Sequence, residues 1–123
     1  MIKLIREAWC EDTCYPPLRK KWIENPKTPE IGQCAVTALL VQDLFGGIIV
    51  KNNKLHHYFN FDIMMSEITD ITQFQFSDDE LKGEIDASGD IKFDVFINRE
   101  DLLQNNDTKE RYLLLRKRLK DLL

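Results

Sequence analysis

The clearest hydrophobic pattern in the chain lies at residues 33–45, QCAVTALLVQDLF, where apolar side chains at 34, 35, 36, 38, 39, 40, 41, 44 and 45 cover nearly the whole circumference of a helix. A helix that is apolar on every side must be covered on every side, so this segment is predicted to lie at the centre of the fold. Gly46-Gly47 supplies the left-handed residue that ends a helix, and the β-branched run Ile48-Ile49-Val50 after it predicts a strand. Asn52-Asn53 tolerates positive φ, so residues 48–51 and 55–63 are predicted to pair as a hairpin. A third strand is predicted over 67–72, with Gln73-Phe74-Gln75-Phe76 leaving the sheet.

Outside this centre the pattern is less regular. Ile2, Ile5 and Trp9 stand near helical spacing and predict a first helix over 2–10, interrupted at Asp12-Thr13. Tyr15-Pro16-Pro17 forces an extended turn, and Leu18 to Glu24 predicts a short helix that stops before Asn25-Pro26. The acidic segment 77–94, SDDELKGEIDASGDIKFD, shows no period and is predicted as an excursion outside the core with a small hairpin at Ser88-Gly89. Asn98 predicts a cap for a helix over 99–104, and Asp107 or Thr108 a cap for a last helix reaching Leu122. The sum is an α+β fold: one domain over 1–123 with a buried helix on a small antiparallel sheet and a C-terminal helix.

Composition narrows the function classes. With 123 residues, 43% hydrophobic and 31% charged, the chain has the balance of a soluble globular domain. No apolar run approaches the roughly 20 residues of a membrane helix, and the N-terminus lacks a secretory core, so a cytoplasmic location and no membrane partner are expected. The net charge of −4 repels nucleic acid, and Arg19-Lys20-Lys21 and Arg116-Lys117-Arg118 read as solvated helix faces. Three cysteines, Cys10, Cys14 and Cys34, are an odd number and are expected to be free thiols.

The chemistry centres on Cys34. With Gly32 as the predicted N-cap, the thiol falls in the first turn of the central helix, where unpaired N–H groups and the positive end of the dipole favour a thiolate. A cysteine nucleophile needs a base within reach and a third group to hold that base. Strand alternation places His57 with Phe59 and Phe61, and His56 with Tyr58, Asn60 and Asp62. If the phenylalanines pack on the central helix, His57 travels with them to Cys34. Asp70 on the next strand then takes the other imidazole nitrogen, with Asp62 as the fallback. Gln33, beside the nucleophile, is expected to offer an oxyanion donor with the Cys34 N–H, and Asn60 and Trp22 are candidate substrate contacts.

A resemblance supports this choice. The words NPK, GQCAVTALLVQDLFGG, HYFNF and DITQF resemble the YunG-like family of small bacterial proteins, through Trp22, Asn25, Pro26, Gly32, Gln33, Cys34, Ala35, Gly46, Gly47, His57, Tyr58, Asn60, Asp70, Thr72, Gln73 and Phe74. More distantly, the order Cys34, His57, Asp70 is similar to that of papain-like enzymes of the transglutaminase-like and NlpC types. The resemblance implies a papain-like core and a thiol hydrolase or acyltransferase acting on a small-molecule or peptide amide, ester or thioester, without a cofactor. The sequence departs from the family pattern at Leu55-His56, where small residues are expected before the histidine.

Two rival readings use the same atoms. Cys10 and Cys14, four apart, could join Cys34 and a histidine in a Cys₃His zinc site, although Pro16-Pro17 disturbs that helix and no tight CxxC pair occurs. Alternatively, Cys34 is an inert buried hydrophobe in a non-enzymatic binding domain. The sequence assigns no oligomeric state.

Overall fold

The computed structural model describes residues 1–123. The helices are α1 (Ile2–Ala8), α2 (Arg19–Glu24), α3 (Cys34–Phe45), α4 (Asp78–Leu81), α5 (Arg99–Leu103) and α6 (Asn106–Leu122). Strands β1 (Ile48–Asn52), β2 (His57–Asp62), β3 (Glu67–Thr69) and β4 (Val95–Ile97) form one antiparallel sheet in the order β3-β2-β1-β4. The architecture is α+β, and none of its helices is long and apolar enough to cross a membrane.

The all-round apolar pattern of α3 has a direct cause: the helix touches β2 on one side and α6 on the other. Val36, Ala38, Leu39, Leu40 and Val41 are buried together with Ile5, Ala8 and Trp9 of the N-terminal segment and Tyr112, Leu115 and Leu119 of α6. Each such aliphatic side chain contributes roughly 1.5–3 kcal/mol when fully buried. The far end of α3 is tied by Arg99, which pairs with Asp43 at 2.8 Å and donates to the Leu39 carbonyl at 3.1 Å and the Tyr112 hydroxyl at 2.9 Å. The Tyr112 hydroxyl in turn donates to Asp43.

The two faces of the sheet differ from the sequence expectation. Ile49, Tyr58 and Ile97 face the helical core. Val50, Phe59 and Phe61 face the other way, onto Phe76, Leu81, Ile91 and Phe93. The 77–94 segment is therefore not an excursion outside the core but the layer that covers the second face of the sheet. Its apolar residues escape a periodicity test because turns separate them. Ser77 and Glu80 cap α4 reciprocally, and Ile85 bridges Ile91 across a turn in which Asp86 accepts from the N–H groups of Ser88 and Asp90.

Three boundaries also shift. β4 was not foreseen, being a three-residue strand paired to β1 with Phe96 exposed. β3 ends at Thr69 rather than 72, leaving the edge of β2 open beyond Asn60. The cap of α6 is Asn105, whose side chain accepts from the Thr108 N–H, so the helix begins before Asp107. Asn98 caps α5 as its sequence predicts.

Candidate active site

The N-terminus of α3 meets the sheet at the open edge of β2. The loop before it is shaped by Gly32, at φ +72°, where a Cβ atom would stand 2.4 Å from the Cys14 sulfur and 3.1 Å from the Tyr15 nitrogen. Only glycine allows this approach, in which the Gly32 carbonyl accepts from the Tyr15 N–H at 2.9 Å. The N-cap is Gln33 rather than Gly32, so Cys34 is the first helical residue. Its backbone N–H precedes the first turn of the helix and has no intrahelical acceptor.

Cys34 is half-buried, its Sγ donating to the His56 carbonyl at 3.9 Å, with the His57 side chain near enough to lower its pKa. The Nε2 nitrogen of that histidine lies 2.8 Å from both Oδ1 and Oδ2 of Asp70. The ring is fully buried, stacked on Phe59 at 5.2 Å and met edge-on by Phe76 at 4.9 Å, so its orientation is held from three sides. His57 reaches the thiol by a different route from the one its sequence suggests. Phe59 and Phe61 do not pack on α3; the histidine arrives because β3 stops short and lets the start of α3 dock at the free edge of β2. There the Tyr58 backbone also helps to lower the thiol. His56 is exposed, at φ +51°, a left-handed turn position that histidine tolerates better than most residues; this explains why a small residue is not required there.

The electrostatics of the three groups are mutually consistent. Burial pushes the Cys34 thiol up, but the hydrogen bond and positive charge of His57 and the Tyr58 N–H outweigh it and bring the thiol below its ordinary value of 9.0. Burial pushes His57 down, and the hydrogen bonds to Asp70 and Cys34 and their charges carry it to about 9. A lowered thiol beside a raised imidazole is the direction in which each group favours the charged form of the other. Cys14 is the contrast: burial pushes its thiol up to about 11, with Arg111 working against it, and its Sγ donates to the Ile31 carbonyl at 3.3 Å.

The remaining predicted site residues have other partners. Gln33 is fully buried with its amide turned away, accepting from the Thr13 hydroxyl at 2.8 Å and donating to the Cys10 carbonyl at 3.1 Å. It braces the loop and is corrected as an oxyanion donor. Asn60 donates to the Ala38 carbonyl at 2.9 Å, fastening α3 to β2 rather than facing a ligand. Trp22 donates to the Pro29 carbonyl at 3.0 Å and lies outside the cavity that opens on Cys34. Asp62, the fallback acid, accepts from the Met65 N–H in the β2–β3 turn. The Cys₃His alternative is not assembled: no three His, Cys, Asp or Glu side chains gather in metal-ligating geometry.

One residue escaped the sequence reading. Gln75 lies with Cys34 on the wall of the cavity, and its Nε2 stands 3.5 Å from His57 Nδ1. Its only mark in the sequence is its place between two phenylalanines. The cavity, about 770 Å³, is also walled by Tyr15, Leu18, Lys21, Tyr58 and Arg111. It is large enough for a ligand of several residues.

The fold and site thus define a class: a small α+β protein in which a thiol at a helix N-terminus, a buried imidazole and a buried carboxylate converge at a half-apolar groove. The family model described as "YunG protein" matches residues 1–123, and the chain belongs to the YunG family. A curated relative from Bacillus subtilis (strain 168), described as "Uncharacterized protein YunG", is 32% identical over 73 residues, covering 59% of this chain. That match spans 57% of the relative's own length. No solved structure matches the chain.

Proposed function

We propose that the protein is a cysteine-dependent hydrolase or acyltransferase, with Cys34, His57 and Asp70 arranged as in papain-like enzymes and an amide, ester or thioester as substrate. The observation that carries the reading is the His57 ring, fully buried, near enough to the Cys34 thiol to lower its pKa, and 2.8 Å from both Asp70 oxygens. Any buried histidine needs a partner; this one has its carboxylate partner beside a thiol that opens on a cavity.

The chemistry follows from the charges. The thiolate attacks the carbonyl carbon, an S–C bond forms, and the C=O π pair moves to oxygen. As this tetrahedral species collapses, the bond to the leaving group breaks and that group takes the Nδ1 proton of His57. Water then attacks the thioester while Nδ1 accepts its proton, the C–S bond breaks, and the thiolate and imidazolium are restored. An acyltransferase replaces water with another nucleophile. Asp70 does not move a proton; it fixes the ring and stabilises its positive charge. The Cys34 N–H, without an intrahelical acceptor, is one donor for the oxyanion.

The test is incubation with p-nitrophenyl acetate, followed by nitrophenol release and peptide mass mapping. Acetylation on Cys34, lost in Cys34→Ser and slowed about 10²- to 10⁴-fold in His57→Ala, is the expected result. Equal acetylation of Cys10, or none at Cys34, would favour a binding domain with an inert thiol.

A further inference from the structure

Resting on the acyl-transfer reading above, we infer that Gln75 supplies the side-chain donor that stabilises the oxyanion, the role its sequence neighbour-to-the-thiol Gln33 cannot fill. Gln33 has its amide occupied by Thr13 and the Cys10 carbonyl, on the far side of the loop. Gln75 is on the cavity wall with Cys34.

The orientation of the Gln75 amide is set by its neighbours. Its Oε1 faces the Gly32 N–H at 3.4 Å, a group that can only donate, and its Nε2 faces the Thr72 carbonyl at 3.1 Å, a group that can only accept. A flipped amide would place two donors together and two acceptors together. One N–H of Nε2 is thus held by Thr72, and the second is directed into the region of His57 Nδ1, 3.5 Å away.

The acceptor facing that second N–H is Nδ1 itself. Once Nδ1 carries the proton it gives to the leaving group it can no longer accept, and two N–H groups then face the same space until an oxygen arrives. The oxygen on the carbon that the sulfur attacks is placed in the cavity that Cys34 and Gln75 both line, on the side from which this N–H enters. The Cys34 N–H approaches from the helix side and Gln75 from the loop after β3. The two hold the oxyanion between them, while Nδ1 remains free to protonate the leaving group. The arrangement also accounts for the Gly32 contact: the residue that shapes the nucleophile loop holds the amide that serves the nucleophile.

The experiment separates oxyanion stabilisation from thiol activation. Alkylation of Cys34 by iodoacetamide builds no oxyanion, whereas acetylation by p-nitrophenyl acetate does. Both rates are measured for wild type and Gln75→Leu, with Gln75→Met, unbranched and of similar length, as the second variant if leucine unfolds the loop by circular dichroism. Acetylation should fall about 10²-fold while alkylation at pH 7 stays within about 3-fold. A parallel fall of both rates would mean that Gln75 acts by holding His57 or the loop, and an unchanged acetylation rate would mean it does not touch the reacting oxygen; either overturns the inference while leaving the acyl-transfer reading intact. Wild-type protein that alkylates at Cys34 but never acetylates there removes both.

Discussion

Replacing Asp70 with asparagine probes the pair on which the chemistry depends, because the change keeps the size of the side chain and removes its charge. His57 and Asp70 are both shielded, their side chains 0% and 4% exposed, so solvent does not screen the interaction. A hydrogen bond to a charged group contributes about 1.5–3 kcal/mol. At about 1.36 kcal/mol per pKa unit, its loss lowers His57 by about one to two units, from about 9 towards 7 or 8. The Asp70 charge also raises the Cys34 thiol directly, but this is the smallest of its influences, whereas the hydrogen bond and charge of His57 are the main ones that lower it. The net effect of Asp70→Asn is therefore less thiolate at neutral pH. The assay is the second-order rate of iodoacetamide alkylation at Cys34 from pH 5 to 10.5, followed by peptide mass mapping. In wild type the rate should climb and level off at lower pH than for an ordinary thiol of pKa 9.0. In Asp70→Asn it should be about 10-fold or more lower at pH 6–7 and converge with wild type above pH 10, past the ordinary thiol value of 9.0. A variant that folds normally yet gives the wild-type profile would refute the argument that Asp70 sustains the ion pair.

Other consequences follow from single contacts. In Cys34→Ser the His57–Asp70 pair stands alone; Asp70 still raises the histidine above the unfolded value of 6.5, though less far than the wild-type value of about 9 to which Cys34 contributes, so the stabilisation is complete below pH 6.5 and is lost as pH rises above it, and the Tm should decline there less steeply in Cys34→Ser/Asp70→Asn. Gly32→Ala pushes a methyl group to 2.4 Å from the Cys14 sulfur at φ +72° and should cost about 2 kcal/mol or more in urea unfolding; adding Cys14→Ala should recover the steric part but not the backbone part. Asn60→Ala removes the side-chain bond to the Ala38 carbonyl, which keeps its helical partner, and should cost about 0.5–1.5 kcal/mol, with slower alkylation of Cys34 as α3 loosens from β2. Cys14, buried and raised to about 11, should resist iodoacetamide until denaturant exposes it, which mass mapping across a urea series reads directly.

The parts of the fold legible in the sequence are those with a local cause. An all-round apolar run between Gln33 and Gly46 forces a central helix, and Ile48 to Val50 followed by Asn52-Asn53 forces a hairpin. Asn98 announces its helix by a cap that needs only three residues. What was not legible depends on residues far apart. Phe76, Leu81, Ile91 and Phe93 form a layer only because turns bring them over Val50 and Phe59. β4 is three strand-forming residues, Val95-Phe96-Ile97, too short a run to declare itself until β1 offers them an edge. The same division runs through the site. Cys34, His57 and Asp70 stand out as residue types with an order suited to the chemistry, and the structure brings their side chains together. Proximity in sequence misassigned Gln33, since a residue adjacent to the thiol at a helix start points away from it, while Gln75 arrives through a loop that no periodicity describes.

The central claim, that the thiol opening α3 is held as a thiolate by His57, is tested most directly by labelling all three cysteines in one reaction with iodoacetamide at pH 6 and measuring each by mass. The account predicts that Cys34 is modified far ahead of Cys10 and Cys14 in the native protein and that this lead disappears in His57→Ala. Uniform labelling in wild type, or a lead that survives the loss of the imidazole, would contradict it.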